Sequence, residues 1–170
     1  RSKEKLHEAY VSLLVEGQDQ RSIQQLCNKA AVTRPTFYKL YKDIQELRKD
    51  LIEKLLAELK KALTIHNPKP LNVMPKEEQS ENLTLFFEHV QKNHIAYETL
   101  LIYQADALFI HGIQEILKSY IQDGISLSET RSYLIDVNEQ LIIAYVAGAY
   151  LESVRWWITT NYEVSPIDMA

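Results

Sequence analysis

The side chains with the clearest chemical capacity in this 170-residue chain lie between Ser22 and Lys42, in SIQQLCNKAAVTRPTFYKLYK. Arg34, Thr36, Tyr38, Lys39 and Lys42 place guanidinium, ammonium and hydroxyl donors along one short segment. Donors of this kind pair with phosphate oxygens and with the edges of bases. The local charge supports that chemistry. From Gln20 to Lys42 there is no acidic residue, whereas Arg21, Lys29, Arg34, Lys39 and Lys42 are all basic, and acids resume at Asp19 and Asp43 on either side. A merely solvated basic face is the bland alternative, but the acid-free window coincides with one structural motif.

That motif is a pair of short helices. Ser22 with Gln25 has the spacing of a capping box, and Ile23, Leu26, Cys27 and Ala30 then recur at helical intervals, which gives one buried stripe. Ala31 and Val32 form a turn. Thr33 can cap a second helix that tolerates Pro35 in its first turn, where a missing amide hydrogen has no helical partner to lose. Two helices joined this tightly make a helix-turn-helix, with Phe37, Leu40 and Tyr41 available for packing. A preceding helix, about Lys3 to Glu16 and ending at Gly17, offers Leu6, Ala9, Tyr10, Leu13 and Leu14 as the third wall. Lys3 and Lys5 could also touch DNA, but on so exposed a start solvation is the expectation. Asp43 with Glu46 starts a fourth helix over 43–65, in which Ile44, Leu47, Leu51, Leu55 and Leu59 recur on one side. A helix of that length can reach from one domain into the next.

Other chemistries find little support. The chain has four scattered glycines, so no Gly-rich phosphate loop is present, and no acid, histidine and nucleophile share a mechanistic spacing. His89 and His94 are five residues apart rather than the four that put two metal ligands on one helical face. Neither an enzyme, a metal site nor a cofactor is expected. Cys27 is the one cysteine and sits on the apolar face of its helix, which fits a packed thiol. With 46% hydrophobic and 25% charged residues the composition is that of a globular protein, and no apolar run approaches the ~20 residues of a membrane span. The charged opening RSKEKLHEAY does not read as a signal peptide, so a cytoplasmic location is expected, with no membrane partner.

The net charge of −4 hides an asymmetry. Residues 1–63 carry 13 basic and 9 acidic groups, a balance of +4, whereas residues 64–170 carry 6 and 14, a balance of −8. A basic head on an acidic body is oriented head first by the field of a polyanion.

After a proline-bearing linker, residues 66–78, the rest reads as helix. Leu83, Phe86, Phe87 and Val90 mark a fifth helix; Asn93 and His94 interrupt it; Tyr97–Tyr103 is a short sixth; Ala105–Gln122 is a seventh, closed by Asp123 and Gly124. After SLSETR a long helix runs from Tyr133 to about Asn161, and Ser165 with Pro166 begins another. Aromatic residues recur through this half, and core packing is the default reading of each.

Residues 3–63 resemble the DNA-binding domain of the TetR family of transcriptional regulators. TFYKLYKDIQEL follows that family's run of threonine, apolar residue, tyrosine, two variable residues, aromatic residue, lysine and a capped fourth helix. It departs at three points: Ala31 stands for the usual turn glycine, Pro35 for a frequent glycine, and Leu40 for a frequent tyrosine or histidine. VAGAYLESVRWWI is similar to the closing helices of the family's regulatory domains. The resemblance implies an all-α protein with a helix-turn-helix domain over 1–47, the fourth helix as connector, and a regulatory and dimerisation domain over 48–170. It implies a homodimeric regulator, more specifically a repressor, on palindromic double-stranded operator DNA, released by a small-molecule effector. The expected DNA-facing residues are Ser22, Thr33, Arg34, Thr36, Phe37, Tyr38, Lys39 and Lys42, with Tyr38 and Lys42 as backbone anchors. An effector pocket is expected around Phe86, Tyr103, Gln104, Phe109, His111, Tyr145 and Glu152, with Asp106 a further polar candidate. Ala144, Gly148, Leu151 and Arg155 are the expected dimer contacts, since small residues permit close helix approach. The alternative is a helical adaptor that keeps the fold but acts through a protein partner.

Overall fold

The structure is a computed structural model that describes residues 1–17, 22–64, 76–127 and 138–170, with the side chains of 76–80 and of Leu127 left out of the description. Among the described residues every regular element is helical. Three helices build the head: α1 (Ser2–Val15), α2 (Ile23–Ala30) and α3 (Arg34–Leu40). Leu6, Leu13, Leu26, Cys27 and Phe37 meet in its core. Burial raises the pKa of the Cys27 thiol, which leaves it a packed, unreactive group.

The connector α4 (Ile44–Ala62) is 19 residues long, about 28 Å at 1.5 Å per residue. Asp43 caps it by accepting from the Glu46 amide at 2.9 Å, and Glu46 reaches back to the Lys42 amide. Leu47, Leu51, Ile52, Leu55 and Leu59 are all buried, and α4 packs on α1 at the head and on the helices of the second half.

The second half comprises α5 (Lys76–Lys92), α6 (His94–Tyr97), a π-helical segment (Glu98–Tyr103), α7 (Ala107–Leu127), α8 (Glu139–Thr159) and α9 (Pro166–Met169). Two boundaries differ from the sequence expectation, and a third lies outside the described residues. The linker ends earlier, because residues 76–78 already belong to α5; residues 66–75 lie outside the described residues. Helix α7 does not stop at Asp123 and Gly124 but runs on to Leu127. A helical glycine costs about 1 kcal/mol, which packing against α8 outweighs, with Ile121 buried just before it and Ile125 against the core just after. The described part of α8 starts at Glu139, capped by Asn138 through the Leu141 amide, and the expected start at Tyr133 falls outside the described residues.

Aromatic rings hold this half together. Trp157 is fully buried, stacks edge-on with Phe87 and Tyr162, and donates its indole N–H to the Val164 carbonyl at 2.7 Å. That bond ties the chain after α8 back onto the bundle and brings α9 against α5. Between α4 and α7 the approach is close: a methyl group at Gly112 would overlap the Leu56 side chain.

Candidate nucleic-acid interface

Local hydrogen bonds set up the motif as its spacing predicts. The Ser22 hydroxyl accepts from the Gln25 amide at 3.1 Å and the Gln25 side chain accepts from the Ser22 amide at 3.2 Å. Thr33 caps α3 by accepting from the Thr36 amide, and the two hydroxyls lie 2.9 Å apart. The turn between the helices is made by Ala31 at φ 51° and ψ 45°, a left-handed conformation that costs an alanine about 1–2 kcal/mol more than a glycine. The tertiary packing of α2 and α3 supports that cost.

The basic residues of the window divide into two sets. Lys29 is paired with Glu16, as Lys3 of α1, outside the window, is with Asp50, whose two oxygens it bonds at 3.1 and 3.2 Å. Arg34, Lys39 and Lys42 are exposed and, among the described residues, their side chains make no ion pair. With Ser22, Thr33 and Tyr38, also exposed, and Thr36, half-buried, they form a face of donors around α3. Arg21 lies outside the described residues. Phe37 is a correction to the expected DNA-facing set: its ring is 0% exposed and packs against Tyr38 and Tyr41, so it supports the face from beneath.

Beneath α3 lies a polar cluster that sequence spacing does not reveal. The Tyr41 hydroxyl donates to Asp50 Oδ2 at 2.5 Å, and His7 Nε2 is 3.0 Å from the same oxygen and 3.1 Å from the hydroxyl. Burial lowers the pKa of His7, opposed by the Asp50 charge. Burial acts to raise that of Asp50, but bonds from Tyr41 and Lys3 hold it below its usual value. The cluster clamps the end of α3 to α1 and α4 in the neutral range. His7 is 34 and 43 residues from Tyr41 and Asp50, so no local pattern announces the cluster.

The residues expected around an effector pocket do not converge. Phe86 and Phe109 are fully buried core, the latter edge-on to Tyr97 at 5.1 Å, while Tyr103 and Tyr145 are 76% and 73% exposed. Gln104, His111 and Glu152 are exposed as well. Asp106 is buried but occupied: Oδ1 caps α7 through the amides of Leu108 and Phe109 at 3.0 and 3.1 Å, and Oδ2 pairs with Arg48 of α4. Of the expected dimer contacts, Ala144 and Gly148 are exposed, Arg155 is half-buried beside Glu152, and Leu151 is buried within the chain itself. Among the described residues no group of histidine, cysteine and carboxylate side chains is placed to hold a metal ion, and no helix is long and apolar enough to cross a membrane.

Comparison with known proteins adds an independent line. No curated protein matches the sequence. A TetR transcriptional regulator of solved structure, from Streptococcus agalactiae 2603V, superposes with a TM-score of 0.65 over 99% of this chain and 88% of its own, at 22% identity. The two therefore share a fold. Residues 77–170, more than half the chain, match the TetR-type family model described as "Transcriptional regulator C-terminal region". A capped helix-turn-helix presenting exposed cations and a second half that matches this model lead to one assignment: the chain belongs to the TetR family of transcriptional regulators.

Proposed function

We propose that the protein is a repressor that binds a palindromic DNA operator as a homodimer and is released by a small-molecule effector. The observation that carries this reading is the α3 face, where Arg34, Lys39 and Lys42 are exposed and, among the described residues, make no side-chain ion pair, beside the hydroxyls of Thr33 and Tyr38. In helix-turn-helix proteins the start of the second helix enters the major groove, which puts Arg34 and Thr36 near base edges and leaves Tyr38, Lys39 and Lys42 for phosphates.

Dimerisation is supported by a row on α8. Leu141, Tyr145, Gly148, Glu152 and Trp156 follow one another at helical spacing, all exposed, and three of them are large apolar or aromatic groups. A second copy would cover that row and bring two recognition helices to successive major grooves. The effector would act by binding better to the arrangement in which the two helices miss those grooves. Selection of bound sequences from a random duplex pool tests the reading. Recovery of a palindrome with a shared half-site supports it; recovery of no enriched sequence, with dimerisation intact, would favour a partner-binding adaptor.

A further inference from the structure

One group on the exposed side of α3 has no role among the donors that would hold DNA. At about 100° per residue, Arg34, Pro35, Tyr38 and Lys39, all exposed, span an arc of about 140°. Arg34 and Lys39 lie at its edges, and Pro35 and Tyr38 fall between them. Beside this arc the hydroxyls of Thr33 and Thr36 lie 2.9 Å apart, and Thr33 also accepts from the Thr36 amide, so the two are engaged with each other. The Tyr38 ring is held edge-on to the buried Phe37 at 5.5 Å.

Pro35 thus sets an apolar ring in the middle of a face of donors. As the second residue of α3 it has a fixed φ, no amide hydrogen and almost no side-chain entropy to lose on contact. Helix geometry accounts for a proline being tolerated there. It does not say what faces the ring once α3 lies against a partner. A base edge that turns a nitrogen or oxygen towards this ring loses a hydrogen bond to water and gains none in return. In the major groove every base pair carries such polar groups, and thymine alone adds a methyl, at C5.

We propose that Pro35 determines part of the sequence specificity by packing its ring on the C5 methyl of one thymine in each half-site. This inference rests on the regulator reading and deepens it: the cations hold the duplex, and the proline ring selects one of its base pairs. The contact is made between two rigid groups, so a small apolar area discriminates without ordering a flexible side chain.

The test uses the full chain and the operator recovered by selection from a random duplex pool. Each thymine is replaced in turn, in both half-sites, by deoxyuridine, which keeps every hydrogen-bonding group and lacks only the C5 methyl. One replacement is expected to weaken wild-type binding by about fourfold per half-site, the worth of one buried methyl. For Pro35→Gly and Pro35→Ser the thymine and uracil forms of that operator should bind within about twofold of each other. The readout is a ratio of two operators for one protein, so a general loss of folding or of phosphate contacts in a variant cancels. Selection repeated with Pro35→Gly should relax at that base pair and keep the rest of the half-site. Equal wild-type binding of all the uracil operators, or a penalty that both variants retain, would overturn the assignment to Pro35 and leave operator binding standing. Recovery of no enriched sequence would overturn the regulator reading, and this assignment with it.

Discussion

Replacing Arg48 by alanine should loosen the joint between the connector and the second half of the molecule. Asp106 is 7% exposed and keeps its two amide bonds at the start of α7, but loses the guanidinium that neutralises its other oxygen. Breaking a fully buried ion pair costs about 3–5 kcal/mol, whereas exposed pairs contribute about 0.2–1 kcal/mol. Here the carboxylate is buried and the Arg48 side chain is 30% exposed, so water screens one partner and the expected loss is ~1–3 kcal/mol. For a chain of this size that corresponds to a fall in Tm of roughly 3–10 °C. Asp106→Ala should cost more than Asp106→Asn, because alanine also removes the cap, worth about 0.5–2 kcal/mol. Urea unfolding of the wild type, Arg48→Ala, Asp106→Ala and the double variant, all at one protein concentration, isolates the pair from the cap. A coupling energy of ~1–2 kcal/mol is expected, and a value within about 0.3 kcal/mol of zero would refute the argument that this pair joins α4 to α7.

Further outcomes follow from the same geometry. Lys42→Ala should weaken binding to all duplexes alike and flatten the salt dependence of log affinity by roughly one unit; an unchanged slope removes Lys42 from the phosphate contacts. Arg34→Ala should lower discrimination between specific and scrambled sites by ~1–3 kcal/mol, and equal losses on both would make Arg34 a backbone contact. Ala31→Gly relieves a left-handed alanine and should raise stability by about 0.5–1 kcal/mol in urea unfolding, after the added chain entropy of glycine is counted; a loss would show that the turn is not strained. Burial lowers the pKa values of His7 and His89, so below about pH 6.5 the unfolded chain takes up protons that the folded chain refuses. Stability should therefore fall as pH drops from about 6.5 to 5.5, less steeply in His7→Gln, and a rise over that interval in urea midpoints would contradict the burial argument.

The sequence by itself determined several features that close over three or four residues. Ser22 with Gln25, Thr33 with Thr36, Asp43 with Glu46 and Ser165 with Asp168 are caps whose partners are fixed by helical geometry, and each forms. The basic window and the apolar row of α4 were legible for the same reason, since charge and periodicity are local properties. Tertiary structure decided what a local pattern leaves open: which side of a helix is covered, and by what. Phe37 turned inward because α1 and α2 give it a core, and Tyr145 stayed outward because no described element covers that side of α8. Asp106, a polar candidate for a pocket, became an ion-pair partner once α4 brought Arg48 from 58 residues away. Gly124 looked like a helix end, since glycine favours termini, yet contact between α7 and α8 outweighed its intrinsic cost. His7, Tyr41 and Asp50 met for the same reason, because hydrophobic burial brings elements together without regard to their separation along the chain.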